Sequence, residues 1–240
     1  NTSGIDAVLD GHSHSTIVGG MVKNKEGKEV ILTSTGTKLA NIGCLTISAD
    51  GKISSTLIND DGVGETISEI KEGYEEMVNT VVASTKVELT TNDPVTGERM
   101  VRRQETNLGD LCADAYRAMS GADVAFVNGG GIRVSIPEGD ITYGQIIAVH
   151  PFGNEMCVIE ATGQQIMDAL EMGARNAPGE CGGFLQVSGL TYEIDLNVES
   201  TVEINADGMF TGVSGDYRVK NVKVGGEPID LGKTYTLASH

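Results

Sequence analysis

The residues best equipped for chemistry lie together in Val124 to Arg133, which reads Val-Ala-Phe-Val-Asn-Gly-Gly-Gly-Ile-Arg. Val124, Phe126 and Val127 predict a buried strand that delivers Asn128 and Arg133 to the mouth of a sheet. Consecutive glycines lose much backbone entropy on ordering, so a folded chain keeps Gly129, Gly130 and Gly131 where φ is positive or where something approaches the backbone closely. A ligand could be that something, and a tight turn between two elements accounts for the glycines equally well. Asn128 donates and accepts hydrogen bonds, and the planar fork of Arg133 suits a carboxylate, a phosphate or a flat ring.

A second candidate is Gly11-His12-Ser13-His14, just past the apolar run Gly4 to Leu9 and Asp10. His12 and His14, two apart on a loop at a strand end, could face one concave site, and imidazole nitrogen suits zinc, manganese or iron. A polar loop facing water has the same appearance. Two ligands do not complete a metal site, and His150 and His240 are the remaining histidines of this sequence. Cys44, Cys112, Cys157 and Cys181 are widely separated and form no Cys-x-x-Cys pair, which argues against a zinc ribbon or a dithiol redox site. The apolar neighbours of Cys44, Cys112 and Cys157 predict buried free thiols, although a disulfide is compatible with the sequence.

These candidates need elements to position them. Val30-Ile31-Leu32 reads as a strand, and Gly43 to Ile47 and Ile53 to Ile58 as a hairpin around Asp50-Gly51. Residues 1 to 60 are therefore expected to be the closing strands of a larger sheet. Over residues 65 to 84, apolar positions from Ile67 to Val82 recur at spacings of three and four, which predicts a helix linking two domains over 61 to 85, although a surface helix of the second domain would look the same. Leu108 to Met119 predicts a helix with Leu108, Leu111, Cys112, Ala115 and Met119 inward and Gly121 as its stop. Further helices are expected over 144 to 149 and 163 to 175, the latter with Ile166, Ala169, Leu170 and Gly173 inward. Strands are expected at Met156 to Ala161, Phe184 to Val187, Leu190 to Leu196 and through Val202 to Leu237. Interleaved strands and helices define an α/β or α+β class with a mixed sheet and flanking helices.

The 240 residues suffice for one large domain, or one domain and a piece of another. Lys+Arg 17 against Asp+Glu 34 gives a net charge of -17, which repels nucleic-acid backbones and anionic lipid and excludes both as partners. No run of about 18 apolar residues is present to span a membrane. The sequence starts at Asn1 without a basic and apolar leader or a start methionine, and reads as an excised fragment.

Taken together and in order, six segments resemble the 5'-nucleotidase family, whose members include UDP-sugar hydrolases and 2',3'-cyclic-nucleotide phosphodiesterases. They are Gly-His-Ser-His at 11 to 14, Glu105 to Leu111, Asn128 to Arg133, Gly139 to Tyr143, Pro151 to Asn154 and Phe184 to Gly189. The resemblance covers essentially the whole chain. It implies a metallophosphoesterase domain with two divalent metal ions such as zinc or manganese, of which residues 1 to 60 would be the tail. It implies a C-terminal substrate-binding domain over 86 to 240. By resemblance His12 and His14 match the last two metal ligands, while the remaining ligands and the catalytic histidine would lie upstream. Arg102, Asn128, Gly130 and Arg133 match substrate-binding positions, and Phe152 matches one of two aromatics that sandwich the base of a nucleotide or nucleoside.

Physical chemistry accommodates those roles. A base stacked on an aromatic face gains roughly 1 to 3 kcal/mol without demanding a particular base, and arginine and asparagine suit ribose hydroxyls and phosphate oxygens. Core packing for Phe152 and surface ion pairs for Arg102 and Arg133 are the plain alternatives. The family's second stacking aromatic would follow the strand matching Tyr235 to Ala238, beyond His240. The resemblance therefore implies that this stretch contains no catalytic residue, binds and positions the nucleoside, and hydrolyses nothing alone. An extracytoplasmic location is implied by the family only. The alternative is a nucleotide-binding or cell-surface module with no hydrolytic role, and a sulfate-ester or thiosulfate-processing relative is a third possibility that Phe152 disfavours.

Overall fold

The largely buried strand β3 (Glu29–Thr35) organises the first of two units, Asn1–Glu75. The computed structural model describes residues 3–11, 15–37, 40–58 and 72–240. β1 (Ala7–Asp10) pairs parallel to β3, and β2 (Thr16–Lys23) pairs antiparallel to its other edge. Val30 and Ile31 are buried on β3, as are Thr33 and Ser34. The buried Thr33 hydroxyl donates to the Ile17 carbonyl at 3.0 Å and accepts from the Ser55 hydroxyl at 2.7 Å, which satisfies it. β4 (Ile42–Ile47) and β5 (Ile53–Ile58) form the expected hairpin, with Gly51 at φ 80° in the turn. Leu9, Val18, Met21 and Ile47 remain more than half exposed, so this unit leaves much apolar surface uncovered.

The helix expected over 65 to 84 is corrected in its last third, and residues 65–71 lie outside the described ones. Among the described residues α1 (Glu75–Asn79) is helical there, and Val81–Thr85 forms β6, antiparallel to β8 (Gly139–Thr142). The three-and-four spacing that includes Val81 and Val82 is real. A β-branched stretch with an available partner strand nevertheless gains its backbone hydrogen bonds from pairing, and local periodicity is overridden.

In the second unit, Glu76–His240, β7 (Val124–Asn128) is an inner strand of a mixed four-stranded sheet. β10 (Leu185–Ser188) lies antiparallel on one side of it, and β16 (Thr234–Ser239) lies parallel on the other, followed by antiparallel β9 (Cys157–Thr162). Val124 and Phe126 point to one face, where Ile166, Leu170 and Ala174 of α4 (Gly163–Ala174) pack with Leu190, Val219 and Val222. Val127 points to the other, against Leu108, Cys112 and Ala113 of α2 (Asn107–Ser120). A strand covered on both faces is continuously apolar, and this one is. β11 (Leu190–Ile194), β14 (Val219–Val224) and β15 (Glu227–Pro228) form a second small sheet, and β12 (Val202–Ile204) pairs with β13 (Phe210–Val213).

Local sequence sets the helix ends. Thr106 caps α2 by accepting from the Gly109 amide, and left-handed Gly121 at φ 69° stops it. Thr142 and Thr162 make capping boxes with Gln145 and Gln165 at the starts of α3 (Tyr143–Val149) and α4. The inward face of α2 is a second correction. Leu111, Ala115 and Met119 are exposed, and Leu108, Gly109, Cys112 and Ala113 face the core. The reason is Gly109: a Cβ there would sit 2.0 Å from the Gln186 side chain, so the sheet admits only the glycine side of the helix. All four cysteines are free, and Cys157, expected buried, is exposed on edge strand β9.

The core also holds one charged knot. Glu171 is fully buried and accepts from the Arg218 and Val219 amides at 3.1 and 2.9 Å. The Arg218 guanidinium donates to the carbonyls of Ala174 at 3.2 Å, Ala177 at 2.8 Å and Val198 at 3.1 Å. It thereby satisfies acceptors at the C-terminal end of α4.

Candidate functional site

β7 ends at Asn128, and the three glycines that follow run on beside the 182–184 segment. The Gly129 amide donates to the Phe184 carbonyl at 2.7 Å and the Gly130 amide to the Gly182 carbonyl at 2.9 Å; Gly131 closes a turn onto the Asn128 carbonyl at 2.9 Å. None of these glycines has positive φ. Each is demanded by a close approach of the chain to itself. A Cβ on Gly129 would lie 1.9 Å from the Val101 carbonyl oxygen, on Gly130 2.8 Å from that of Gly182, and on Gly131 2.9 Å from Asn128 Oδ1. Of the two explanations left open by the sequence, backbone proximity is met by protein atoms. Asn128 takes part in the same packing, its side-chain amide donating to the Gly182 carbonyl at 3.1 Å.

What this packing aims is a set of guanidiniums. Arg133 is exposed; its amide donates to Val149 O at 3.0 Å and its Nη1 to Gly130 O at 3.1 Å. Its Cζ stands 5.6 Å from the centroid of the Phe152 ring, within cation–π range. Phe152 is 60% exposed, so core packing does not explain it. Arg102 sits on the turn from Met100 to Gln104, with its carbonyl accepting from the Cys181 amide at 2.9 Å. Its half-buried side chain has a buried Nε without a hydrogen-bond partner. Burial, then the charges of Arg99 and Arg133, hold its pKa below the ordinary arginine value, and it remains a cation.

Arg99, Arg102 and Arg133 line one cleft of about 520 Å³, together with Thr91, Asn92 and Ser135. Among the described residues Glu88 is the only carboxylate on its wall, and Arg99 approaches Glu180 at 3.9 Å. A cluster of three guanidiniums in a chain of net charge -17 concentrates positive potential where an anion can enter. Thr91 and Ser135 add polar atoms, their hydroxyls 3.1 Å apart. Of the residues expected at the site, Arg102 and Arg133 line this cleft; Phe152 and Gly130 meet it through their contacts with Arg133, and Asn128 bonds Gly182 instead. Sequence reasoning missed Arg99, Thr91, Asn92 and Ser135. The signal for Arg99 was present, since Arg99, Arg102 and Arg103 fall within five residues of an otherwise acidic chain. Thr91 and Ser135 carry none, because 44 residues separate them and only the Leu89–Ile136 bridge makes them neighbours.

Next to the Phe152 loop, His150 belongs to a cluster with Cys112, Tyr116 and His240. His150 Nε2 is 3.2 Å from Cys112 Sγ, and the Tyr116 hydroxyl is 3.2 Å from His240 Nδ1. Burial, then the neighbouring His240, lowers the His150 pKa; burial raises the Cys112 thiol to about 12. A thiol and a neutral imidazole therefore share one hydrogen bond, and no nucleophilic thiolate forms. His12 and His14 lie outside the described residues, among which no group of three His, Cys, Asp or Glu could hold a metal ion. The described part of the chain accordingly offers no complete set of metal ligands.

A mixed sheet with flanking helices thus carries a guanidinium cleft beside the loop that follows β7. The chain belongs to the family of the 5'-nucleotidase C-terminal domain, whose model matches residues 81–240. It is 33% identical, over 99% of its length, to the trifunctional nucleotide phosphoesterase protein YfkN of Bacillus subtilis, of which it covers 18%. It is likewise 33% identical, over 62% of its length, to the protein UshA of Escherichia coli, of which it covers 24%. Among solved structures, the 5'-nucleotidase precursor from Thermus thermophilus matches with a TM-score of 0.61 and 32% identity, over 98% of this chain and 49% of that one. The chain therefore spans about a fifth to a quarter of the two curated relatives.

Proposed function

We propose that this chain is the nucleotide-binding part of a phosphohydrolase of the 5'-nucleotidase type. Arg102 and Arg133 take the phosphate or ribose oxygens, Phe152 stacks on the base, and Asn128 and Gly130 form the wall that holds them. The observation that carries this reading is the convergence of three guanidiniums on one cleft beside an exposed aromatic ring, in a protein otherwise strongly acidic. Charge-assisted hydrogen bonds from planar guanidiniums fit phosphate oxygens in pairs. A half-exposed ring offers a π-face to any of the bases, so the site selects a nucleotide more by charge than by base.

In the whole protein, residues 1 to 60 belong to a metallophosphoesterase domain in which His12 and His14 help hold two divalent ions. The uncovered apolar surface of the first unit supports its being part of a larger sandwich. When bound, such ions supply an activated water and neutralise the charge developing on phosphorus. This chain's own residues contribute binding and orientation, which removes much of the entropic barrier. The chain alone is inactive, and the whole protein works outside the cytoplasm; among the described residues no helix is long and apolar enough to cross a membrane.

The test is phosphate release from 5'-AMP by the whole polypeptide with manganese, zinc or cobalt, and no turnover with any of them would sink the enzyme reading. Arg133→Ala is expected to raise KM at least about tenfold, the worth of one charge-assisted bond, with metal content unchanged. Lost metal instead would remove Arg133 from the binding site.

A further inference from the structure

The turn that carries Arg102 is fastened from beneath by one side chain to which no role in the site has been given. Gln186, on β10, is 2% exposed. Its Nε2 donates to the Val101 carbonyl at 3.0 Å and to the Gln104 carbonyl at 2.7 Å, and its Oε1 accepts from the Thr106 amide at 3.1 Å. These bonds bracket Arg102 on both sides. They use both hydrogens of one side-chain amide and its oxygen, so no other natural side chain of this length satisfies all three backbone groups. Space is reserved for it as well: a Cβ on Gly109 would meet Gln186 at 2.0 Å.

The turn has few other fastenings. Met100 and Val101 donate to the Thr91 carbonyl, and Arg102 accepts from Cys181. The Val101 carbonyl held by Gln186 is also the atom that would collide with a Cβ on Gly129. One amide therefore fastens the arginine turn to β10, and the carbonyl it holds is packed against the glycine loop that precedes Arg133. The guanidiniums of Arg102 and Arg133 gain a preorganised spacing, which costs the free chain nothing when an anion arrives.

We infer that Gln186 is a positioning residue for the anion site, acting through the Arg102 turn rather than by touching substrate. This rests on the proposal that Arg102 binds the nucleotide. The experiment is a double-mutant cycle in the whole polypeptide, reading KM and kcat for 5'-AMP at a temperature where every variant is shown folded by circular dichroism. Gln186→Met keeps the volume and removes all three hydrogen bonds. It is expected to raise KM about tenfold and change kcat less than twofold, because binding is weakened and bond breaking is not. Arg102→Ala should raise KM at least as much, and adding Gln186→Met to it should change KM less than twofold further. Additive effects, or a fall in kcat at unchanged KM, overturn the positioning role while leaving the binding reading in place. An Arg102→Ala variant with unaltered KM overturns the binding reading and the positioning role with it. If Gln186→Met does not fold, Gln186→Asn, which keeps the amide but shortens its reach, takes its place with the same expected pattern.

Discussion

The loops 128–133 and 150–154 meet where the Arg133 guanidinium covers the Phe152 ring, yet they are held in opposite ways. The first is clamped: Gly129, Gly130 and Gly131 leave no room for a Cβ, and backbone bonds tie Gly129 to Phe184, Gly130 to Gly182 and Gly131 to Asn128. The second is open: residues 151 to 154 are all exposed, and a Cβ on Gly153 would meet nothing within 4 Å. A wall that must keep two arginines at a fixed spacing is built from backbone contacts. The ring proposed to stack on the base is left accessible, with Arg133 over one side of it. On the proposed function, rigidity and contact with a ligand are allotted to different segments of the same site.

The largest way to break this contrast is a methyl group. Gly129→Ala is expected to destabilise the chain by about 3 kcal/mol or more, since the new Cβ would meet a carbonyl oxygen of the packed arginine turn. Gly153→Ala, strained only by its φ of 65°, should cost roughly 1 kcal/mol. Urea unfolding of both variants measures this, and equal costs would mean that the glycine loop yields as readily as the open one.

Phe152→Ala sharpens the other half of the contrast. Binding of 5'-AMP should weaken by roughly 1 to 3 kcal/mol, about 5- to 150-fold, while Tm moves by less than about 2 °C because the ring is mostly exposed. Calorimetric titration and a thermal melt decide it. A large fall in Tm with affinity intact would make Phe152 a packing residue.

The smallest effect concerns pH. His150 precedes the open loop and faces Cys112 and Tyr116 of α2 and His240, which follows β16. Its folded pKa lies below the ordinary 6.5, so the unfolded chain takes the proton first as pH falls. The stability it contributes is present above pH 6.5 and is lost as pH falls below that value. Urea midpoints should decline from about pH 7.5 to about 5.0, and His150→Gln should flatten that slope; an unchanged slope would show that other groups set it.

The sequence by itself determined the class and most elements of this protein. The Gly121 stop, the Asp50-Gly51 turn and the apolar β7 are local signals, legible because each physical cause lies within a few residues of its effect. It also marked Arg102, Asn128, Arg133 and Phe152 as polar or aromatic groups on turns. What only the tertiary structure decided is what those turns touch. Val81 to Thr85 left the expected helix because Gly139–Thr142 offered it a partner. The inward face of α2 was chosen by a glutamine 77 residues beyond Gly109, a count that follows from their numbering. The triple glycine is filled by the carbonyls of Val101 and Gly182 and by Asn128 Oδ1, and Ser135 reaches the cleft beside Thr91, 44 residues away in sequence. Such contacts join groups far apart in sequence, many of them backbone groups that every residue carries alike, so the order of side chains contains no trace of them until the chain folds back on itself.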